Sequence, residues 1–385
     1  MEIDFGWVDY STQEQRDVLK TLDDLNEDAV DALGLSVISD YYAKKFFPGI
    51  STEQTRARYF VLVPYVFQDL KKNSEEELKQ KEKEWAWNLK EKWEEVWGEK
   101  KESGIIGVRA MGYWKKRSEW VEDGVVLAQR APSARYWTGL KKFGILEQDC
   151  SIKELLQKQS EEKSNDGIGK QDGDDFSTSD DLGLWNEKID GLYKKNEKNY
   201  SIFPTRDEAT FLKEQICRNA KGSLLAALLK RNKQLGGFKE LGEIIKTDFK
   251  EFRTDFEKAV RFSKFAELLN AYYIDIISNH KSQKAQDILN VNGKNKIIDG
   301  FNPNDYKDIP NSPLTFLNNC KKCLRSKNEI EKVIKEREIF LKGKRAKTSN
   351  PKDEYNKKAI SAPDFRYGRA KVIINDILKG LKNGK

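Results

Sequence analysis

The chain has 385 residues, of which 35% are charged and 38% hydrophobic, and its formal net charge is +7. This composition predicts a heavily charged, helix-rich protein of about two or three domains. No apolar run reaches the roughly 18 residues of a membrane span. The single histidine, His280, excludes a His-rich metal site, argues against Ser-His-Asp and Cys-His catalysis, and is expected at a helix end. Few cysteines and an N-terminus without a signal-peptide pattern predict a cytoplasmic protein.

Apolar residues at helical spacing predict four helices in the N-terminal part of the chain. We place them at about 11–30, 33–46, 52–71 and 74–100. The third contains Pro64, which is expected to kink it or split it. The fourth begins at the Ser74–Glu77 capping box and carries Trp85, Trp93 and Trp97 at helical spacing. These tryptophans are expected to pack against a neighbouring helix rather than to form a ligand site.

Residues 104–130 contain several glycines and short apolar pairs, a pattern that predicts a small β hairpin. Pro132 then opens a short basic helix, and a hairpin beside such a helix is typical of a winged helix-turn-helix. In the alternative, Tyr136, Trp137 and Leu140 pack inward and the cations of this helix are solvated. If the region binds nucleic acid, its candidate contacts are Arg130, Ser133, Arg135, Lys141 and Lys142.

A polar, net acidic stretch separates two helix-rich parts of the chain. It is predicted to be a flexible linker or loop at 159–183, between an N-terminal domain at 1–158 and a C-terminal domain at 184–385. In the second domain the Thr205–Glu208 capping box opens a helix, and 281–311 is predicted to be mainly loop. Further helices are predicted at about 223–234, 247–280, 313–325, 327–342 and 363–382. The predicted fold class is mainly α, with two multi-helix domains and a small winged-helix-like β hairpin in the N-terminal half.

Three sequence segments carry a family resemblance. FGWVDYS at 5–11 is followed by ALGLSVISDYYAKKFFPGISTEQTRARYFVLVPYV at 32–66 and by APSARYWTGLKKFGIL at 131–146. This combination resembles a bacterial family catalogued as a domain of unknown function. Its members have a Gly-Trp-(Ile/Val)-Asp-(Phe/Tyr)-Ser signature and an FPG-ST-QTRARYF block. The similarity reaches more loosely to 262–280 and to RYGRAKVIINDILKGL at 366–381.

The resemblance implies a cellular setting but no established activity. Genes of this family often neighbour helicase and phospholipase-D-like nuclease genes in bacterial defence islands. This implies an anti-phage defence or DNA-processing system, with helicase or nuclease proteins as partners. The chain departs from the family pattern at Ala32, where the family has Glu, and at Ser39, where it has Arg. A ligand role of that arginine in relatives would therefore not carry over to this chain.

Arg56 and Arg58 stand at the start of an apolar helix, where an arginine cannot be buried without a partner. In one interpretation they pair with acidic residues such as Asp9 or Asp40 and fix the N-terminal domain. In the other, they and the FPG turn hold a phosphate or an acidic partner at the helix N-terminus. The ion pairs are the preferred interpretation.

The C-terminal part of the chain is strongly basic. From Lys321 to Lys385 there are 20 Lys and Arg residues against 8 Asp and Glu residues, a net of +12, so the remaining residues carry a net of −5. Such segregated charge is typical of a polyanion-binding surface, although an acidic first half docked on this end is the alternative. The candidate nucleic-acid contacts of this part are Lys342, Lys344, Arg345 and Lys347.

These features lead to three hypotheses for function. The first is a non-enzymatic accessory subunit that binds nucleic acid, expected to be DNA, through its phosphate backbone. The second is a protein-interaction scaffold whose basic tail contacts an acidic partner. The third is a metal-dependent nuclease, although no Asp…Glu-x-Lys arrangement stands on a predicted strand pair. No catalytic residue, metal ligand or cofactor is predicted, and the Cys320–Cys323 pair is expected to be buried because no second such pair exists.

Overall fold

The computed structural model describes residues 29–98, 103–108, 117–121, 128–166 and 183–382. Within these ranges the chain is mainly helical and forms no β-sheet, so the prediction of a mainly α fold is confirmed. Leu146 and Trp185 form an isolated antiparallel bridge. No helix in the described ranges is both long enough and apolar enough to cross a membrane. The helix predicted at 11–30 lies outside the described residues except for positions 29 and 30, which are helical.

The helices are numbered here in chain order. The N-terminal ones are α1 (Ala29–Ala32), α2 (Ser36–Phe46), α3 (Tyr59–Gln68), α4 (Glu75–Trp97), α5 (Arg117–Val121), α6 (Pro132–Lys142), α7 (Ile152–Asp166), α8 (Lys188–Asn196) and α9 (Arg206–Asn219). The following ones are α10 (Leu224–Lys230), α11 (Phe238–Asp248), α12 (Arg253–Ile277), α13 (Gln283–Leu289), α14 (Lys294–Gly300), α15 (Leu314–Cys323), α16 (Lys327–Lys342) and α17 (Tyr367–Lys382). Short 3₁₀ helices occur at Lys250–Phe252, Pro303–Tyr306, Gly343–Arg345, Lys347–Ser349 and Asp353–Lys357.

The chain forms two compact units. The first unit contains the residues up to Tyr42 together with Glu251–Phe365, and the second contains Ala43–Lys250 together with Arg366–Lys385. This division differs from the predicted domains, because residues on both sides of 159–183 belong to the second unit. Helix α7 continues into the predicted linker as far as Asp166, and most of the linker lies outside the described residues. A flexible linker at this place therefore stays a prediction.

The core of the second unit forms around α3, in which every residue from Tyr59 to Phe67 is buried. A helix that is apolar on all sides must be covered on all sides, and aromatic rings of neighbouring elements do this. The Phe60 ring lies 4.9 Å from that of Tyr136 and 5.1 Å from that of Phe143. Pro64 does not split α3, which runs without interruption from Tyr59 to Gln68.

The β hairpin predicted within 104–130 is not supported. The described parts of this region contain α5 and no strand, and the remainder lies outside the described residues. Trp120 of α5 is fully buried and donates a hydrogen bond from its indole nitrogen to the carbonyl of Lys83 at 3.2 Å. Gly104 and Gly107 adopt positive φ angles of 75° and 88°, which suit turns. Gly104 and Gly107 thus lie in turns, and the described residues give no support to the winged-helix interpretation.

Two capping motifs determine where α4 and α9 begin. At Thr205–Glu208 both bonds of the capping box form, as predicted. At Ser74–Glu77 only one half forms: the Ser74 hydroxyl accepts from the Glu77 backbone nitrogen at 3.2 Å. The Glu77 carboxylate instead accepts from the backbone nitrogens of the preceding turn, at 71–73. Helices α4 and α9 both carry residues of the candidate site described in the next subsection. The two caps therefore help to fix where those residues lie.

Helix α12 forms the centre of the first unit, and every residue from Leu268 to Ile277 is buried. The segment 281–311 packs beside it and is helical in part, so its prediction as mainly loop is wrong. It contains α13, α14 and a 3₁₀ turn. The reason is a small number of buried anchors in a polar segment: the Phe301 ring stacks on that of Phe265 at 3.7 Å, and the Tyr306 ring lies 5.3 Å from that of Phe301. So few apolar residues leave no helical periodicity to detect.

Close packing of α9 against α17 leads to a first prediction. A Cβ at Gly380 would lie 2.8 Å from the Cβ of Ala209 and 2.8 Å from the carbonyl oxygen of Pro204. We expect Gly380→Ala to lower the free energy of unfolding by about 1–2 kcal/mol, because overpacking outweighs the gain in helix propensity. Urea unfolding measures this effect. Gly191→Ala in α8 is the matched control, since no atom lies within 4 Å of its Cβ position, and it should stabilise by up to about 1 kcal/mol. A stabilising Gly380→Ala would contradict the packing described.

Candidate nucleic-acid interface

Arg58 is fully buried in the second unit and holds the loop that precedes α9. Its Nε and Nη2 donate to the two carboxylate oxygens of Glu208 at 2.8 and 2.9 Å. Its Nη1 donates to the carbonyl of Asn199 at 2.7 Å and to that of Ser201. Both charged side chains are 0% exposed, and the Tyr65 hydroxyl donates to Glu208 at 3.1 Å. With its donors used in this way, Arg58 serves as one half of a buried ion pair and is not placed to bind an external anion.

Arg56 forms a second ion pair, with Asp376 of α17, at 2.9 Å. Its guanidinium also lies 4.4 Å from the centre of the Phe203 ring, and Asp376 accepts from the Ala57 backbone nitrogen at 3.1 Å. Burial raises the pKa of Asp376 to about 6, although the neighbouring arginine favours its ionised form. The contacts therefore agree with the ion-pair interpretation of the two arginines, but their partners are on α9 and α17 rather than at Asp9 or Asp40.

These two ion pairs place Phe203 at a cleft of about 520 Å³, which we call the aromatic cleft. The end of α4 supplies two further rings, with Trp93 at 5.7 Å from Trp97 and at 6.0 Å from Phe203. Trp97 is 41% exposed, whereas Trp85, earlier on the same helix, is buried. The expectation that all these tryptophans pack in the core is therefore wrong for Trp97. The cleft is lined by Lys92, Trp93, Val96, Trp97, Asn199, Ser201, Ile202, Phe203, Pro204, Thr205, Arg206 and Lys379.

The charged side chains that line the aromatic cleft are cationic. The ammonium of Lys379 lies 4.0 Å from the centre of the Phe203 ring and 5.6 Å from that of Trp97. Arg206 and Lys92 also line the cleft, and Lys92 forms an exposed pair with Glu95 at 2.7 Å. No carboxylate is among the described residues of the lining. Exposed aromatic rings beside cations are the groups that bind bases and phosphates of single-stranded nucleic acid.

The basic helix α6 faces inward more than the nucleic-acid interpretation requires. Tyr136, Trp137 and Leu140 are buried, which agrees with the alternative in which the apolar face packs inward. Ser133 is 3% exposed, and its backbone nitrogen donates to the carboxylate of Glu82 at 2.7 Å. It neither caps α6, whose N-cap is the residue at 131, nor reaches the surface. We therefore remove Ser133 from the nucleic-acid contacts.

Three of the four cations around α6 engage protein groups. Arg130 pairs with Glu53 at 2.8 Å, and Arg135 donates from Nε to the carbonyl of Arg130 at 2.7 Å. Lys141 pairs with Asp149 at 2.7 Å. Lys142 is exposed. These four cations lie at or near the surface, but none of them lines the aromatic cleft.

The C-terminal candidates lie in the first unit. Lys342 is 15% exposed, with its ammonium 3.7 Å from the buried carboxylate of Glu338, and burial lowers the pKa of Lys342. Lys344 and Arg345 are exposed in the 3₁₀ turns that follow α16. The ammonium of Lys347 lies 5.4 Å from the centre of the Tyr355 ring. Of these four, Lys342 is therefore part of an internal pair, and Lys344 and Arg345 are the most accessible.

Buried Glu82, the partner of Ser133, leads to a pH prediction. Burial raises the pKa of Glu82 from 4.5 to about 7. The stability that its protonated form contributes is complete below about pH 4.5 and is lost as the pH rises through about 7. We expect Glu82→Gln to match the wild type near pH 5 and to be more stable by about 2–3 kcal/mol at pH 8, because its amide carries no charge to desolvate. Urea unfolding at both pH values checks this, with Glu84→Gln on the same helix as control. If the free energy of unfolding of Glu82→Gln depends on pH in the same way as that of the wild type, the pH dependence does not come from a raised pKa of Glu82.

Sequence reasoning missed the residues that form the aromatic cleft. Helical spacing predicted Trp93 and Trp97 only as core residues. No sequence pattern pointed to Phe203 or Lys379. The one sequence signal that bears on the cleft is the Thr205–Glu208 capping box. This box fixes the start of α9, and the loop that carries Phe203 directly precedes it.

The described structure is that of a mainly helical protein with an aromatic cleft lined by cations. Comparison of the sequence with known families shows to which family it belongs. Residues 3–266 match the model of DUF6361, a family of unknown function, and the chain belongs to this family. The matched range contains the motif-bearing segments at 5–11, 32–66 and 131–146. It ends before 366–381, where the resemblance is looser. No curated protein and no solved structure matches the chain.

Proposed function

We propose that this protein is a non-enzymatic accessory subunit that binds single-stranded nucleic acid in its aromatic cleft, with DNA as the expected ligand. The observation that carries the proposal is the juxtaposition of exposed Trp97, Phe203 and Lys379 in a cleft whose described lining has no carboxylate. Stacking of a base on an aromatic ring contributes about 1–3 kcal/mol and tolerates every base. Binding of this kind has little sequence preference.

In the proposed complex, bases stack on the exposed ring of Trp97 and phosphates lie near Lys379 and Arg206. When Lys379 and Arg206 neutralise phosphates, the nucleic acid releases its condensed counterions, so the affinity falls steeply with salt. Lys344 and Arg345 in the first unit are proposed as further phosphate contacts, because they are exposed in a strongly basic part of the chain. Arg130, Arg135, Lys141 and Lys142 are weaker candidates, since three of the four already engage protein groups.

Fluorescence anisotropy with labelled single-stranded DNA, single-stranded RNA and duplex DNA tests the proposal. We expect the single strands to bind more tightly than the duplex, with a logarithm of affinity that falls linearly with the logarithm of salt concentration. Quenching of tryptophan fluorescence should accompany binding. Absence of binding to all three at low salt would refute the proposal.

Two further outcomes separate the rival functions. A protein partner that remains bound after nuclease treatment would favour the scaffold whose basic tail contacts an acidic protein. Cleavage of any of these substrates in the presence of Mg²⁺ or Mn²⁺ would favour a metal-dependent nuclease.

The proposed setting is a bacterial anti-phage defence or DNA-processing system in the cytoplasm. Helicase or nuclease proteins are the proposed partners, which would supply the motor or cleavage activity. Support for this setting comes from the family resemblance in the sequence. Co-purification of the tagged protein with a helicase or a nuclease from its native host would support it.

A further inference from the structure

Three potential metal ligands meet in the first unit, at the end of α12. They are Asp275, near the C-terminus of α12, His280, which follows that helix, and Glu331, on α16. One ligand atom from each residue lies within 4.8 Å of the others. The Nδ1 atom of His280 is 2.7 Å from Oδ2 of Asp275. The expected helix-end position of the histidine is confirmed: its backbone nitrogen donates to the carbonyl of Asp275 at 2.7 Å, and its φ is 60°.

Two carboxylate oxygens of this cluster lack a hydrogen-bond partner. The Asp275 side chain is 1% exposed, yet its Oδ1 accepts no hydrogen bond. The same is true of Oε1 of Glu331, whose side chain is 15% exposed. A buried carboxylate oxygen without a partner is costly, and native structures contain few of them. A cation that the two carboxylates coordinate would offset this cost.

Lys327 already places a positive charge close to the cluster. Its ammonium is 3.4 Å from Oδ2 of Asp275 and 3.8 Å from Oε1 of Glu331. These separations are longer than those of a good charged hydrogen bond, and the side chain is 58% exposed. Lys327 can therefore turn into solvent at little cost when another cation arrives.

We propose that Asp275, His280 and Glu331 bind a divalent transition metal ion, with Zn²⁺ as the expected ion. One imidazole nitrogen and two carboxylate oxygens form a ligand set that suits Zn²⁺ and neighbouring transition metals better than Mg²⁺, which prefers oxygen ligands alone. Three protein ligands leave a fourth position for water or for a ligand from solution. This site goes beyond the proposed function, because it uses none of the residues of the aromatic cleft.

The sequence did not reveal this site because its ligands form no motif. Asp275 and His280 are five residues apart across a helix end, and Glu331 follows on another helix. The sequence has no His-rich pattern, no second Cys-x-x-Cys pair and no Asp…Glu-x-Lys arrangement on a predicted strand pair, and the three residues of this cluster belong to none of these patterns. The proposed site therefore departs from the expectation that the chain has no metal ligand.

The single histidine makes the test unusually direct. In untagged protein with labelled histidine, the imidazole NMR signals arise from His280 alone. We expect these signals to shift or to be replaced when Zn²⁺ is added, and to return when a chelator removes it. Mg²⁺ should leave them unchanged. Signals that do not respond to excess Zn²⁺ would overturn the proposal.

Matched variants distinguish the site from weak binding by an isolated histidine. Glu331→Gln should weaken Zn²⁺ binding, measured by competition with a chromogenic chelator, by at least about tenfold. Glu329→Gln, which removes an exposed charge from the same helix, should leave it unchanged. Lys327→Met should strengthen binding, because it removes the competing ammonium. Equal affinities of Glu331→Gln and wild type would overturn the assignment even if the His280 signals respond. A result that the protein binds no nucleic acid would leave the metal-site proposal unaffected.

Discussion

Replacing Arg58 with alanine is expected to lower the free energy of unfolding by about 3–5 kcal/mol, because it leaves the carboxylate of Glu208 buried without its counter-ion. The same change also removes the donors to the carbonyls of Asn199 and Ser201, which hold the loop before α9. Urea or thermal unfolding followed by circular dichroism measures the loss. Arg58→Lys should also destabilise the protein, since one ammonium cannot reproduce the bidentate contact and the two carbonyl contacts together.

Two control variants make this expectation specific. The pair of Lys195 and Asp207 is similar in length, at 3.0 Å, but its side chains are 69% and 57% exposed. Lys195→Ala should therefore change stability by less than about 1 kcal/mol. The double variant Arg58→Met with Glu208→Leu should be more stable than Arg58→Ala, because neither charge remains buried. If Arg58→Ala costs no more than Lys195→Ala, the buried ion pair does not organise this unit.

The largest effects on binding are expected from Trp97 and Lys379. Trp97→Ala removes the exposed ring and should weaken binding of single-stranded DNA by about 1–3 kcal/mol, or about 5- to 150-fold. Lys379→Ala should weaken it less at moderate salt and should reduce the salt slope by about 1, as expected for one lost phosphate contact. Anisotropy titrations at several salt concentrations separate these two effects.

The controls for the binding variants use similar side chains that do not line the cleft. Phe340 is 80% exposed on α16, so Phe340→Ala removes an exposed aromatic ring elsewhere and should leave the affinity unchanged. Arg130→Ala removes a cation that already pairs with Glu53 and should have a small effect. Unfolding curves must show that each variant folds. Equal losses in Trp97→Ala and Phe340→Ala would argue against a specific role of the cleft.

Local signals in the sequence were enough to predict much of the fold. The mainly α class followed from composition and helical spacing, and α16 was predicted at 327–342, where it is observed. The cap at Thr205–Glu208 formed as expected, because a capping box depends only on residues three apart. The predictions failed where tertiary contacts decide the structure. Segment 281–311 is helical because a few anchors such as Phe301 pack on α12, and no local pattern reveals this.

The site was harder to predict than the fold because its parts are distant in sequence. The partner of Arg58 is Glu208, 150 residues away, and the partner of Arg56 lies on the last helix. Likewise, helical spacing groups Trp85 with Trp97, but only the packed structure shows that the first is buried and the second is exposed. Charge counting found the basic C-terminal part, yet it could not show that Lys342 pairs with an internal carboxylate.

Photo-crosslinking of bromouracil-substituted single-stranded DNA, followed by mass spectrometry of the crosslinked peptides, tests the central claim most directly. The account predicts crosslinks to the rings of the aromatic cleft, at Trp93, Trp97 or Phe203, and their loss when salt or unlabelled DNA competes. Crosslinks confined to 321–365, with none in the cleft, would contradict it, as would the absence of any specific crosslink.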